Sequence, residues 1–88
     1  MYQLMEKSTN HAMLELTAVV WQEGQDFVSL CPELGVSSCG SNLEDAVAML
    51  QEAVDLYLEN ARALNMLDDT VANLTSARRW TTSIRVAV

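Results

Sequence analysis

One long stretch of this chain repeats apolar residues every three or four positions, and that repeat constrains the fold more than any other feature. It runs from Leu43 to Leu64, through Ala46, Val47, Leu50, Ala53, Val54, Tyr57, Leu58 and Ala61. This spacing predicts an α-helix about six turns long with one apolar side. Polar residues occupy the opposite side, at Gln51, Glu52, Asp55, Glu59 and Arg62. Such a helix must bury its apolar side against a second layer of structure, which the rest of the chain has to supply.

The start of this helix carries a capping signal. Ser41 followed by Glu44 fits the S-x-x-E capping box, in which the hydroxyl accepts from a first-turn N–H and the glutamate reaches back. Glu44 and Asp45 also suit the positive end of the helix dipole. We therefore expect Ser41 to cap the helix.

A strand-like segment precedes the helix at residues 13–21. It is rich in Leu, Val, Thr and Trp, and it alternates between two faces. One face is apolar and the other is mixed, which is typical of a sheet covered on one side. The apolar face comprises Leu14, Leu16, Ala18 and Val20, and the mixed face comprises Glu15, Thr17, Val19 and Trp21.

Turn residues separate two further strands. A glycine-containing segment at 22–26 leads to a second predicted strand at 27–31. Pro32 lacks the N–H that a sheet ladder needs, so it ends this strand. The turn at 32–35 then leads to a third short strand at 36–39.

The region after the long helix has a weaker pattern. Asp68 or Asp69 could cap a short second helix in which Val71 and Leu74 face inward. Residues 80–88 then alternate cleanly, with Trp80, Thr82, Ile84, Val86 and Val88 on one face. This alternation predicts a closing strand.

Together these elements predict a β-β-β-α-β chain. The third and fourth strands are joined through a helix, so they can run parallel in one sheet. A right-handed crossover places the long helix over the apolar face. The expected fold is an α+β sandwich with sheet order 3-2-1-4 and one face covered by one long helix. We expect a single domain over residues 13–88, preceded by a flexible leader at 1–12.

Charge and cysteine usage narrow the class of partner. Residues 1–69 hold all twelve acids and two bases, a net charge of −10, whereas residues 70–88 hold three arginines and no acid. The acidic excess disfavours nucleic-acid and membrane partners and favours a basic protein. No apolar run has the length of a membrane span, and no signal-peptide pattern opens the chain. With two cysteines, these features predict a cytoplasmic protein.

Three segments resemble the N-terminal domain of the HicB-like antitoxins. Pro32-Glu33-Leu34-Gly35 resembles the family's Pro-acid-Leu turn, although the usual second proline is missing. Gly40-Ser41-Asn42-Leu43-Glu44-Asp45-Ala46 is similar to its glycine and acidic-acidic-Ala helix start. Residues 52–59 resemble the later helix turns. The resemblance spans residues 13–60, and the closing strand is compatible with it.

The resemblance implies a partial ribonuclease-H-like fold and a non-enzymatic role. Such domains bind a small basic mRNA-cleaving toxin, here a HicA-like toxin, and cover its active site. Many members append a DNA-binding domain, which this chain does not contain, so we expect no direct nucleic-acid binding from this chain alone. Two alternatives stay open: an orphan oligomeric relative without a toxin, and a degenerate ribonuclease-H-like domain that binds RNA.

The acids do not predict a nuclease. A ribonuclease-H-type metal site needs carboxylates from the first strand, the helix and the fourth strand. Glu15 is available on the first strand and Glu44, Asp45 or Glu52 on the helix, but the fourth strand offers Arg85 and no acid. We therefore expect no catalytic residue, no metal site and no cofactor.

The histidine and the two cysteines also give no reason to expect catalysis or metal binding. His11 is the sole histidine. Cys31 and Cys39 flank the Pro32 turn; if that turn closes a hairpin, Cys31 lies opposite a residue near Val36, too far from Cys39 for an easy disulfide. We expect both cysteines to be small buried hydrophobic residues.

Four apolar residues are candidates for a partner or oligomer contact. Met49 and Leu56 lie two turns apart on the flank of the helix, and Val19 and Trp21 lie on the sheet face away from it. They could instead be covered by neighbouring segments such as 65–79. Exposed strand edges also favour pairing between copies, so we expect a homo-oligomer.

Overall fold

The computed structural model describes residues 13–88, so the predicted leader at 1–12 and His11 lie outside the described residues. The described part is a small α+β structure with a three-stranded antiparallel sheet and two helices. Its elements are β1 (Val19–Glu23), β2 (Asp26–Cys31), β3 (Val36–Gly40), α1 (Leu43–Ala63) and α2 (Leu67–Ser76). None of the helices in this part of the chain has the length and apolarity to cross a membrane.

The sheet is a meander with β2 between β1 and β3. A tight turn with Gly24 at φ 63° joins β1 to β2. The turn between β2 and β3 closes with the Gly35 N–H donating to the Cys31 carbonyl at 2.9 Å, and Gly35 has φ 68°. Cys31 pairs with Val36, the register predicted from the Pro32 turn.

The first strand is shorter than predicted. Residues 13–18 form no strand, and β1 begins at Val19, opposite Leu30. The ladder stops at the Val19–Leu30 pair, one residue before β2 ends at Cys31, and the chain then turns at Pro32. The Thr17 N–H donates to the Glu33 side chain instead.

Helix α1 matches the predicted periodicity, but its cap lies one residue later than expected. The Asn42 side chain accepts from the Asp45 N–H at 2.7 Å, which makes Asn42 the N-cap. The Asp45 carboxylate accepts in turn from the Ser41 N–H at 2.9 Å. The prediction that Ser41 caps the helix with Glu44 is therefore wrong: Asn42 is the N-cap, and the returning carboxylate of Asp45 binds the Ser41 N–H, one residue before the cap.

The described chain comprises two compact units, one ending at Val54 and the other formed by Asp55–Val88. The expectation of a single domain over 13–88 stays a prediction. The first unit has its core between the start of α1 and one face of the sheet. The buried residues there are Ser29, Cys31, Ala46, Leu50 and Val54.

One hydrogen bond identifies the sheet face that carries α1. The buried Ser29 hydroxyl donates to the Ala46 carbonyl at 2.9 Å. Val20 and Ser38 lie directly opposite Ser29 on the neighbouring strands, so they share its face. The helix-covered face therefore includes Val20, as the alternation of residues 13–21 predicts.

The second unit contains the end of α1, helix α2 and the C-terminal segment. Helix α1 ends in a Schellman motif: Asn65 has φ 60°, its N–H donates to the Arg62 carbonyl, and the Met66 N–H donates to the Ala61 carbonyl. Ala61 and Leu74 are buried. Val71 is half-buried, in agreement with the predicted inward face of α2.

The start of α2 differs from the prediction. Asp68 and Asp69 lie in the first turn, and Met66 occupies the N-cap position without a side-chain hydrogen bond. The two acids therefore face the positive end of the helix dipole instead of capping it. The Schellman bond of Met66 places the chain directly into α2, which leaves no room for a cap at Asp68.

The closing strand predicted at 80–88 is not formed in the structure. Residues 77–88 contain neither helix nor strand, so the fourth place in the predicted sheet order 3-2-1-4 is not occupied by this segment. Alternation specifies which side chains could share a face, but a strand exists through hydrogen bonds to a neighbouring strand. The sequence contains the pattern but does not specify that neighbour.

Candidate protein-binding surfaces

The sheet has an apolar face turned away from the helix-covered side. Because Ser29 points to α1, its neighbours Val28 and Leu30 point the other way. Trp21 and Cys39 lie directly opposite Val28, and Val19 lies opposite Leu30. We call these five residues the outer sheet face. It is one contiguous patch formed by all three described strands.

The outer sheet face is accessible at its β1 side. Val19 and Trp21 are 40% and 39% exposed, whereas Val28 and Leu30 are half-buried. The Trp21 indole N–H donates to a Glu23 carboxylate oxygen at 2.8 Å. The indole therefore has its polar atom satisfied while its ring stays available for apolar contact.

The second candidate surface lies on α1. Met49 and Leu56 are 38% and 58% exposed, so both side chains are accessible. They lie seven residues apart, about 10 Å along the helix axis. Beside them runs an acidic row with the same spacing, formed by Asp45, Glu52 and Glu59. We call the two rows together the α1 flank.

The chemistry of the α1 flank fits a basic amphipathic partner. The partner's apolar residues would contact Met49 and Leu56, and its Lys or Arg residues would lie beside Glu52 and Glu59. Glu52 and Glu59 are both exposed. The four residues predicted as contacts are therefore all accessible, and their role in binding stays a prediction.

A half-buried carboxylate cluster, not predicted from the sequence, joins the turn after β2 to the segment before β1. The Thr17 N–H lies 3.1 Å from both Glu33 carboxylate oxygens, and the Thr17 hydroxyl donates to one of them at 2.6 Å. The Cys31 thiol donates to the other at 3.4 Å. We call this set of residues the Glu33 clasp.

The Glu33 clasp shifts the pKa values of both titratable groups in it. Partial burial acts to raise the pKa of the Glu33 carboxyl, but hydrogen bonds from Thr17, from the Glu33 N–H and from Cys31 lower it from 4.5 to about 2. Burial, together with the nearby Glu33 carboxylate, raises the pKa of the Cys31 thiol. Cys31 therefore stays a protonated donor at neutral pH, which suits a structural role better than a nucleophilic one.

The two cysteines have different environments. Both are free; Cys31 is buried, as expected, but Cys39 is exposed on the outer sheet face. The expectation that both are buried is therefore wrong for Cys39. It lies opposite Val28, whose side chain points away from the helix-covered core, and the alternation of β3 carries Cys39 to the same side.

The carboxylates considered for a nuclease do not gather into a metal site in the described part of the chain. Residues 13–88 contain no group of three or more His, Cys, Asp or Glu side chains placed to hold a metal ion. Asp45, one of the helix candidates, is engaged at the α1 cap. A shallow cavity of about 180 Å³ lies between Arg62, Asn65, Leu67 and Asp68, and it is smaller than a typical small-molecule site.

The C-terminal segment gathers the basic residues. The Arg78 guanidinium lies 5.5 Å from the centroid of the Trp80 ring, which is a cation–π distance. Arg79 donates to the Leu74 carbonyl at 2.9 Å, near the end of α2, where a cation is favourable. This arrangement fixes the start of the segment beside α2.

Comparison with known proteins adds no relative to this picture. The chain matches no protein-family model, no curated protein and no solved structure. The HicB-like resemblance therefore stays an expectation.

Proposed function

We propose that this chain is a non-enzymatic protein-binding module of the HicB-like antitoxin type. In this proposal it binds a small basic mRNA-cleaving toxin, of the HicA-like kind, and covers its active site. The observation that carries the proposal is the α1 flank, where exposed Met49 and Leu56 run beside Asp45, Glu52 and Glu59. An apolar row beside an acidic row on one helix matches the needs of a basic protein surface.

The charge distribution supports the same partner. Residues 1–69 carry a net charge of −10, which attracts a basic protein over a distance and raises the rate of encounter. The same charge repels RNA, so we place the RNA-binding alternative second. Its one supporting observation is the Arg78–Trp80 pair, since arginine and tryptophan both stack on bases.

We also propose the finer fold. Residues 80–88 form a fourth strand beside β1, which completes the order 3-2-1-4 of a partial ribonuclease-H-like sheet. The alternation of Trp80, Ile84 and Val86 supports a strand. Within the described residues β1 pairs only with β2, so a strand added beside β1 would lie along its other edge. We also propose a cytoplasmic location, which suits two free cysteines, and self-association, which exposed strand edges favour.

Titration calorimetry with the product of the neighbouring reading frame, where that product is small and basic, tests the toxin-binding role. We expect Leu56→Gln to weaken binding about tenfold or more, because it removes an apolar contact at the α1 flank. Leu64→Gln is the matched control: Leu64 is also an exposed leucine, and it lies after the end of α1. Equal effects of the two variants, or no binding by the wild type, would overturn the proposal.

A nuclease assay tests the non-enzymatic role. We expect no Mg²⁺-dependent cleavage of RNA by the purified chain. Cleavage that appears with Mg²⁺ and is lost in Glu15→Ala would contradict the proposal, since Glu15 is the one first-strand carboxylate in the predicted nuclease arrangement. RNA binding without cleavage, measured by fluorescence anisotropy, would instead favour the RNA-binding alternative.

A further inference from the structure

The C-terminal segment has the side chains of a strand but no strand structure. Trp80, Ile84 and Val86 are 78%, 83% and 73% exposed, and they belong to one alternating row. Three large apolar side chains at such exposure, within nine residues, exceed what scattered surface residues show. The segment therefore has a large apolar area that this single chain leaves in water.

The sheet, in turn, has a strand edge to which such a segment could add. Within the described residues, β1 donates and accepts hydrogen bonds along its β2 edge, and the ladder includes Val20 and Trp21. The backbone groups directed to the other edge are a template for another strand. A strand added there would place one row of its side chains beside Val20, on the helix-covered face, and the other row beside Trp21.

The C-terminal segment and the unit that contains β1 carry opposite charge. Residues 80–88 carry Arg85 and no acid, and Arg78 and Arg79 directly precede them, whereas residues 13–54, which contain β1, carry seven acids and no lysine or arginine. If the apolar row of residues 80–88 continues the helix-covered face, Arg85 lies on the same face as the Glu23 carboxylate. A basic segment therefore fits the acidic unit that contains β1, and two copies of one chain carry both halves of the match.

We propose that two copies of this chain exchange their C-terminal segments, residues 80–88 of each adding as a strand to β1 of the other. This inference rests on the fourth strand proposed above and names its donor as a second copy. The single chain leaves the segment without strand structure while its first unit is folded, so pairing awaits another molecule. A two-fold exchange satisfies both sheet edges at once and closes without leaving a free donor strand.

The test combines solution mass with hydrogen exchange on the full chain. We expect the wild type to be a dimer by light scattering, with the amides of residues 80–88 and β1 protected together and losing protection on dilution. Ile84→Pro removes one N–H and bends the segment, so we expect the dimer dissociation constant to rise about tenfold or more. Because residue 84 lies in a segment without helix or strand, this change leaves the fold of the single chain intact.

Ile84→Val is the matched control, since it keeps the N–H and the strand preference, and we expect it to stay dimeric. A dimer that survives Ile84→Pro would overturn the exchange, because another surface would hold the copies. A monomer with protected residues 80–88 would overturn the exchange and keep the fourth strand within one chain. A monomer without that protection would overturn both. Toxin binding by Ile84→Pro, measured separately, reports on the antitoxin role whichever of these outcomes occurs.

Discussion

At the scale of single residues, Glu33 shows how a turn motif acquires a structural role. The proline and glycine at 32–35 predict the turn from the sequence, but they do not identify the hydrogen-bond partner of Glu33. Thr17 lies 16 positions earlier and donates both its N–H and its hydroxyl to the Glu33 carboxylate. These bonds replace the strand pairing that the residues before Val19 lack, so the Glu33 clasp fixes how the chain enters the sheet.

The stability of this protein should therefore depend on acid through Glu33. Its pKa is lowered from 4.5 to about 2 in the folded state, so its contribution is fully present above about pH 4.5 and is lost as the pH falls towards 2. At pH 7 we expect Glu33→Gln to lower the free energy of unfolding by about 1–2 kcal/mol, since the bonds to a charged acceptor are weakened. Urea unfolding followed by tryptophan fluorescence measures the difference.

Comparing wild type with Glu33→Gln again near pH 2.5 tests whether the ionised carboxylate causes the difference. At this pH the unfolded state binds a proton at Glu33 and the pH is close to the folded-state pKa, so most of the contribution of the carboxylate is lost and the stabilities of wild type and Glu33→Gln should move much closer together. Glu59→Gln is the control, because Glu59 is exposed on α1 and should show a small effect at both pH values. A difference between wild type and Glu33→Gln that stays constant from pH 7 to 2.5 would refute the role assigned to the carboxylate.

At the scale of elements, Gly40 sets how closely α1 approaches the sheet. A Cβ atom at this position would meet the backbone of the first turns of α1: the Ala46 N, the Asp45 carbonyl carbon at 2.7 Å and the Ala46 Cα at 2.8 Å. Those are backbone atoms, which cannot rotate away as the end of a side chain can. The glycine at the end of β3 is thus required for packing, a reason more specific than its strand-breaking tendency.

Gly40→Ala should separate the helix from the sheet and lower the free energy of unfolding by about 1–3 kcal/mol through overpacking. Ser37→Ala, on the exposed side of β3, is the matched control and should change it by less than about 0.5 kcal/mol. Thermal unfolding of the two variants measures both effects. Equal melting temperatures would show that α1 does not rest on Gly40 as the structure places it.

The elements also show where sequence reasoning succeeds and where it stops. The apolar repeat predicts α1 to within about two residues, because helix hydrogen bonds are local and the burial pattern follows from the spacing alone. The observed cap is Asn42 and not the predicted Ser41, because both residues have an acid three positions later and the spacing alone does not distinguish them. Residues 80–88 form no strand in the structure, although their alternation predicts one, because a strand depends on a distant partner that alternation does not identify.

At the scale of the whole molecule, the candidate surfaces could be predicted in part. The exposure of Trp21 and Leu56 follows from faces that the sequence assigns correctly. Val28, Leu30 and Cys39 also belong to the outer sheet face, but the alternation of residues 13–21 does not predict them; the register set by the two turns places them beside Val19 and Trp21. Placing these residues requires the alternation to be carried across paired strands as well as along one strand.

The division of charge within the molecule leads to a kinetic prediction. If the acidic residues 1–69 attract a basic toxin, the association rate should fall by about tenfold or more between 50 mM and 500 mM salt. The dissociation rate, which depends more on close contacts such as that of Leu56, should change much less.

The double variant Glu52→Gln with Glu59→Gln should reduce the salt dependence of the association rate. Asp68→Asn with Asp69→Asn, the same charge change at the start of α2, should reduce it less. Stopped-flow fluorescence measures both rates. An association rate that does not change with salt concentration would mean that charge does not accelerate association. The α1 flank would then bind through its apolar row alone.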